Sequence, residues 1–202
     1  MLGGGPSFRR PDLQSPAGDI PCLMPFLLLR LLSTCLVALL LAGCVTSKQS
    51  LPVPVATVDL DRYMGRWYVI SHTPYFLEKG KVASYDTYAR RPDGKLTNDF
   101  TFREETVDGP EKTWKGTARV IDPVSNAVWK VSFLWPISVT LKILALDPDY
   151  RWAVVSNNDG SLLWVLARER QMPAATYATI LADLNARNLA ADTLQLVPQP
   201  AN

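Results

Sequence analysis

Histidine occurs once in this 202-residue chain, at His72, and cysteine three times, at Cys22, Cys35 and Cys44. Beyond residue 44 there is no thiol, which excludes a disulfide framework, a Cys/His metal set and a thiol nucleophile. The serines lack a Gly-x-Ser-x-Gly context, and Asp86 and Glu104-Glu105 form no identifiable acid/base pair, so no enzyme, metal or cofactor is expected. There is no basic excess either. From Cys44 onward 18 Lys and Arg face 17 Asp and Glu, which removes the electrostatic basis for binding nucleic acid. The longest apolar run, Leu31 to Leu41, is too short to span a bilayer as a mature helix. Internal repeats and low-complexity tracts are absent.

That short run has a different use. Arg30 flanks it, and Leu41-Ala42-Gly43-Cys44 follows directly, the order of a secretory signal. The last four residues resemble a bacterial lipobox, which implies cleavage before Cys44, a diacylglyceryl thioether on its sulfur and an acyl group on its new amino terminus. Two or three acyl chains hold firmly where one holds marginally, so membrane anchoring through Cys44 is expected. Translation is expected to start at Met24, leaving 1–23 as an extension, 24–43 as the signal peptide, 44–58 as a lipidated, Pro-interrupted tether and 59–202 as one domain.

From Gly65 short alternating runs are divided by turn signals, the pattern of an all-β antiparallel meander. Eight strands are expected, at about 65–72, 82–91, 96–104, 113–122, 127–134, 140–147, 151–157 and 162–169. Phe100 and Phe102, then Trp114, Gly116, Ala118 and Val120, then Trp129, Val131 and Phe133 share one face. Strands six to eight are apolar on both faces, and a helix from Pro173, with Tyr177, Ile180, Leu181 and Leu184 at helical spacing, is the candidate cover. Connections after strands two, four and six are tight, and those after one, three, five and seven are longer or bulkier. One end of the meander is therefore sealed and the other can open. Parity puts Trp67 and Arg168 together at the sealed end, where a cation over an indole contributes about 0.5 to 2 kcal/mol.

Gly65-x-Trp67, Asp147-Pro148-Asp149-Tyr150 and Arg168 resemble, in order, the three signature regions of the lipocalin family. Lys130-Val131-Ser132-Phe133, Ala145-Leu146-Asp147 with Tyr150-Arg151, and Leu163-Trp164-Val165-Leu166-Ala167-Arg168 are similar to bacterial outer-membrane lipocalins, relatives of apolipoprotein D. The resemblance covers about residues 58–198. It implies an eight-stranded up-and-down barrel, or calyx, with one C-terminal helix packed outside and a short ninth strand at Thr193 to Val197. It departs from the nearest pattern at Phe133-Leu134-Trp135-Pro136-Ile137-Ser138-Val139.

A barrel of this size either fills itself or holds one small ligand. Gly116, Ala118 and Ala145 leave room on the inner face. Phe100, Phe102, Trp114, Trp129, Val131, Phe133, Leu141 and Ile143 are the expected ligand-lining residues of the middle and upper barrel. Tyr75, Phe76 and Trp135 supply an expected rim, with Lys79, Lys81 and Arg103 near a head group, while Gly65, Trp67 and Arg168 close the floor. Trp152 and Trp164 are expected to pack the lower half. The function expected is a fatty acid or lysophospholipid carrier serving envelope maintenance. It would sit in the outer membrane facing the periplasm, because Val45 is not the Asp that signals inner-membrane retention in such lipoproteins. A homodimer is compatible with the resemblance. The alternatives are an adaptor lipoprotein with a filled barrel and a lipid-modifying enzyme.

Overall fold

The computed structural model describes residues 51–201. Ten strands of one antiparallel sheet follow chain order: β1 (Gly65–His72), β2 (Lys81–Arg90), β3 (Leu96–Glu104), β4 (Lys112–Trp114), β5 (Thr117–Val120), β6 (Val128–Leu134), β7 (Ile137–Leu146), β8 (Trp152–Asn157), β9 (Leu163–Ala167) and β10 (Gln195–Leu196). The last long strand returns to the first, with Tyr68 opposite Ala167 and His72 opposite Trp164. The ring is thereby closed, no long edge is left unpaired, and β4 with β5 counts as one wall strand of an eight-stranded barrel.

The break between β4 and β5 replaces the continuous strand expected at 113–122, and its cause is Gly116. A Cβ there would lie 2.5 Å from the Asn98 carbonyl oxygen and 2.7 Å from the Phe133 ring, a close approach that only glycine fits. Two strands further along the sheet β7 starts at Ile137, earlier than expected, because Trp135-Pro136 makes a tight connection rather than a bulky loop. The short ninth strand is the two-residue β10, which pairs with Ser71 and His72.

Alternation separates two apolar layers. Inside the ring lie Trp67, Val69, Tyr88, Leu96, Phe100, Ala118, Val131, Ile143 and Leu166. Outside lie Ile70, Leu144, Val154, Leu163 and Val165, and these need a second cover. Helix α2, which follows α1 (Leu60–Tyr63) in the chain and spans Ala174–Ala186, supplies it by burying Ile180 and Leu184 against them, as the helical spacing predicts. Each such side chain contributes about 1.5 to 3 kcal/mol on burial, so truncating Leu184 would loosen the helix first.

The four-residue α1 was not anticipated, since one turn is too short to show a period. Asp59 nucleates it, its Oδ1 accepting from the backbone N–H of Asp61 at 2.9 Å and of Arg62 at 3.3 Å. The described residues before it, 51–59, have no secondary structure, yet they are seated on the barrel. Pro52 packs beside Gly160, Val55 N–H donates to the Ile143 carbonyl at 2.9 Å, and Val58 N–H donates to the Ser125 carbonyl at 2.7 Å. With its own core and a closed ladder, the unit Ser50–Asn202 has the attributes of a domain that folds alone. Cys44, the signal peptide and the extension lie outside the described residues.

Candidate ligand-binding calyx

Gly65, with φ +98°, turns the chain from α1 into β1 in a backbone conformation that favours glycine, and Trp67 then points into the ring with no exposed surface. Its indole N–H donates to the Tyr63 carbonyl at 2.8 Å. Arg168 leaves β9 directly beneath, its guanidinium carbon 3.8 Å from the centroid of the Trp67 ring. The same guanidinium donates to the carbonyls of Arg62 (2.6 Å), Arg66 (2.9 Å), Tyr63 (3.2 Å) and Tyr150 (3.3 Å). One planar fork thus ties α1, β1 and the β7–β8 turn together. Desolvation holds its pKa below the usual guanidinium value.

Above this plate Tyr63, Tyr88 and Trp129 form an aromatic floor, with ring centroids 5.2 to 5.6 Å apart. Trp129 is therefore a floor residue, anchored by its indole N–H to the Asn126 carbonyl at 2.7 Å, and lies below the level expected for it. Val131, Leu141 and Ile143 face the interior, with Leu141 keeping partial exposure. Phe100 and Phe102 stack at 5.4 Å, and Trp114 stands edge-on to Phe102 at 5.0 Å. Phe133 folds over Gly116, so the room expected at that glycine is already occupied.

At the mouth Tyr75 turns inward, its hydroxyl donating to Glu78 Oε1 at 2.9 Å, and the Trp164 indole donates to the same oxygen at 3.1 Å. His72 Nδ1 lies 3.5 Å from the other carboxylate oxygen. Trp164 is thus a mouth residue, because β9 descends from the open end, and Trp152 packs outside the ring under α2. Phe76 and Trp135 point to solvent. Lys81 Nζ sits 4.4 Å from the Phe102 centroid and 4.5 Å from that of Trp114, at the rim. Arg103 is held by the Val107 carbonyl and Glu111, and Lys79 is exposed.

The interior also holds a carboxylate. Register sets Asp86 opposite Trp67 on one side and Phe100 on the other, so it faces inward. Its carboxyl is buried, while the residue as a whole keeps some exposed surface. Asn98 Nδ2 donates to it at 2.8 Å. Burial first and the charge of Glu78 second push its pKa up to about 7, against the Asn98 bond. Burial likewise drives the hydroxyls of Tyr63, Tyr75 and Tyr88 well above the ordinary tyrosine value, each aided by the Asp86 charge.

Sequence reasoning missed Asp86, Glu78, Asn98, Tyr63 and Tyr88 as members of this interior. For Asp86 the signal was its place two residues before Tyr88 on one strand, but a register shift between Val82 and Tyr85 blurs that alternation. Glu78 sits in a loop, where no period points inward. No group of three or more His, Cys, Asp or Glu among the described residues has metal-binding geometry.

The family model for a lipocalin-like domain matches residues 58–199. The chain is 33% identical over 145 residues to temperature-induced lipocalin-1 of Arabidopsis thaliana, covering 67% of this chain and 76% of that protein. It is 33% identical over 144 residues to the outer membrane lipoprotein Blc of Escherichia coli K12, covering 70% and 80%. Among solved structures, insecticyanin from Manduca sexta matches with a TM-score of 0.59 at 16% identity, covering 73% of this chain and 84% of that one. The cockroach allergen Per a 4 matches at 0.57 and 22%, covering 76% and 97%. The Trp67 and Arg168 floor, the ring closed at β1 and β9, the outer helix and these likenesses make this chain a member of the lipocalin family, whose barrels bind small hydrophobic ligands.

Proposed function

We propose that the protein is a membrane-anchored carrier that stores or transports single-chain lipids, fatty acids or lysophospholipids, for cell-envelope maintenance. The observation that carries this reading is the gradient along the calyx. Its floor is sealed by Arg168 and four aromatic rings, its wall is apolar, and its rim offers Lys81 beside exposed aromatic surface. An acyl chain entering tail first replaces water against Phe100, Leu141 and Ile143, about 0.8 kcal/mol per methylene. The carboxylate or phosphate stays near Lys81 and away from Asp86. Lipidation of Cys44 and residence in the outer membrane, facing the periplasm, belong to the same proposal. They are supported by the Leu41-Ala42-Gly43-Cys44 motif, by Val45, and by the name of the Escherichia coli relative.

Native mass spectrometry of protein taken from its own membrane, with titration of indole fluorescence by lysophospholipid, tests this. Copurifying lipid and saturable quenching are expected. If neither is seen, the barrel carries nothing. A second reading, a filled barrel acting as an adaptor, is favoured by Phe133 over Gly116 and by the near-complete burial of Phe102, Val131 and Ala118. It predicts that null result.

A further inference from the structure

The β6–β7 hairpin sets three large apolar side chains in solvent within four residues, flanked by the partly exposed Phe133 and Val139. Trp135 is 88% exposed, Leu134 and Ile137 more than two-thirds, and Phe133 and Val139 about two-fifths. A monomer gains nothing from such a tip, and an apolar patch of this kind marks a surface that something covers.

Beside the tip, on the outer face of β5 and β6, runs a groove of about 600 Å³ lined by Lys95, Lys115, Arg119 and Lys130, with Trp135 and Pro136 at its upper end. No carboxylate lines it. Lys95 and Lys115 are shared with Asp93 at 3.5 Å and Asp99 at 3.8 Å, whereas Arg119 and Lys130 have no ion pair among the described residues. Greasy tip and cationic flank are continuous, and the tip lies at the mouth, because β6 rises to it from the sealed end.

The chain that leaves the described residues begins at the same end. Pro52 packs on Gly160 in the β8–β9 loop, and Lys142 Nζ clamps the carbonyls of Pro52 (3.3 Å) and Asn158 (3.0 Å). Six residues lie between Cys44 and Leu51, seven Cα steps with a reach of at most about 25 Å. The eight residues of β1, tilted as barrel strands are, rise roughly 20 Å from floor to mouth. A bilayer that holds Cys44 therefore meets the mouth with slack in the tether, and the floor only with the tether nearly taut.

We propose that the hairpin tip and the Arg119/Lys130 groove form a docking surface for an anionic phospholipid bilayer, which seats the mouth of the calyx on the membrane. Trp135 occupies the headgroup level, where indoles concentrate, and Leu134 and Ile137 reach the acyl boundary. Arg119 and Lys130, paired lower on the outer wall, attract the anionic surface towards the tip across the groove. The orientation rests on the anchored-carrier reading. The surface does not, and the test omits the anchor so that the two fail separately.

The test uses the unit Ser50–Asn202, which carries the whole barrel and no cysteine. It is mixed with vesicles of phosphatidylcholine alone or with an equal part of phosphatidylglycerol, and sedimented at low and high salt. Binding to the anionic vesicles is expected, falling with salt, falling about fivefold for each of Arg119→Gln and Lys130→Gln, and lost in Trp135→Ser. An environment-sensitive dye on Ile137→Cys shifts to the blue with vesicles, and the same dye on Val124→Cys, exposed at the sealed end, does not. Binding that survives Trp135→Ser, ignores salt, or shifts the Val124→Cys dye overturns the proposal. So does a dimer in vesicle-free solution that Trp135→Ser dissolves, since a second copy then covers the patch. Lipid found inside the calyx in any of these cases leaves the carrier reading standing.

Discussion

Replacing Asp86 by Asn keeps the shape of the side chain and its bond from Asn98, and removes a charge that the interior tolerates poorly. In the folded chain the carboxyl holds its proton up to about pH 7. In the unfolded chain it lets go near 3.9. Between these values the folded state binds the proton more tightly, so stability is highest on the acid side and declines as pH rises through 5 and 6, the loss being complete just above 7. From pH 5 to pH 8 the ceiling is about 3 kcal/mol, two pKa units' worth. The partial exposure of the residue lets solvent screen part of this, and about 1 to 2 kcal/mol is expected. Five carboxyls with depressed pKa values, Asp93, Glu104, Asp122, Asp147 and Asp159, act in the opposite sense, but only as pH falls below about 4. They leave the window clear. Urea unfolding of the wild type and of Asp86→Asn at pH 5 and pH 8 reads the effect, and the difference between the two cancels every other titrating group. The variant should match the wild type at pH 5, exceed it at pH 8, and melt roughly 5 °C higher there. Equal midpoints at pH 8, or a wild type whose advantage grows with pH, would refute an inward, uncompensated Asp86.

Arg168→Met strips four carbonyls of their shared donor and removes the plate under Trp67, so a loss of about 3 kcal/mol is expected in the same unfolding assay. Arg168→Lys should recover less than half of it, because a point-like ammonium cannot reproduce the fork; full recovery would mean that charge alone closes the floor. Gly116→Ala should cost about 1 to 3 kcal/mol, and adding Phe133→Ala should not restore it, since the contact at 2.5 Å is with the Asn98 backbone; rescue by the second change would locate the strain in the ring instead.

The floor was legible because it is made of signals that survive without neighbours. Gly65 and Trp67 open one strand, Arg168 ends another, and strand parity alone brings them to one end. The outer helix was legible from Ile180 and Leu184 at helical spacing beside strands apolar on both faces. The wall was legible only in outline. Alternation says that Trp129 faces inward, but its height depends on the stagger between strands, which no single strand encodes, and the stagger lowers it to the floor. Gly116 looked like vacated room because a missing side chain can be read locally, whereas the Phe133 ring that fills it arrives from the next strand. Asp86 and Glu78 were opaque for a related reason. Their meaning comes from what surrounds them, a ring of aromatic and apolar groups contributed by at least four elements.

The pairing of β1 with β9 also governs how the molecule comes into being. Tyr68 and Ala167 meet from opposite ends of the domain, so the ring needs its most distant contacts last and its folding is slowed by the entropy of closing that loop. A chain released amino end first cannot finish its barrel early: β1 waits with a bare edge, and α1 without its clamp, until Arg168 emerges.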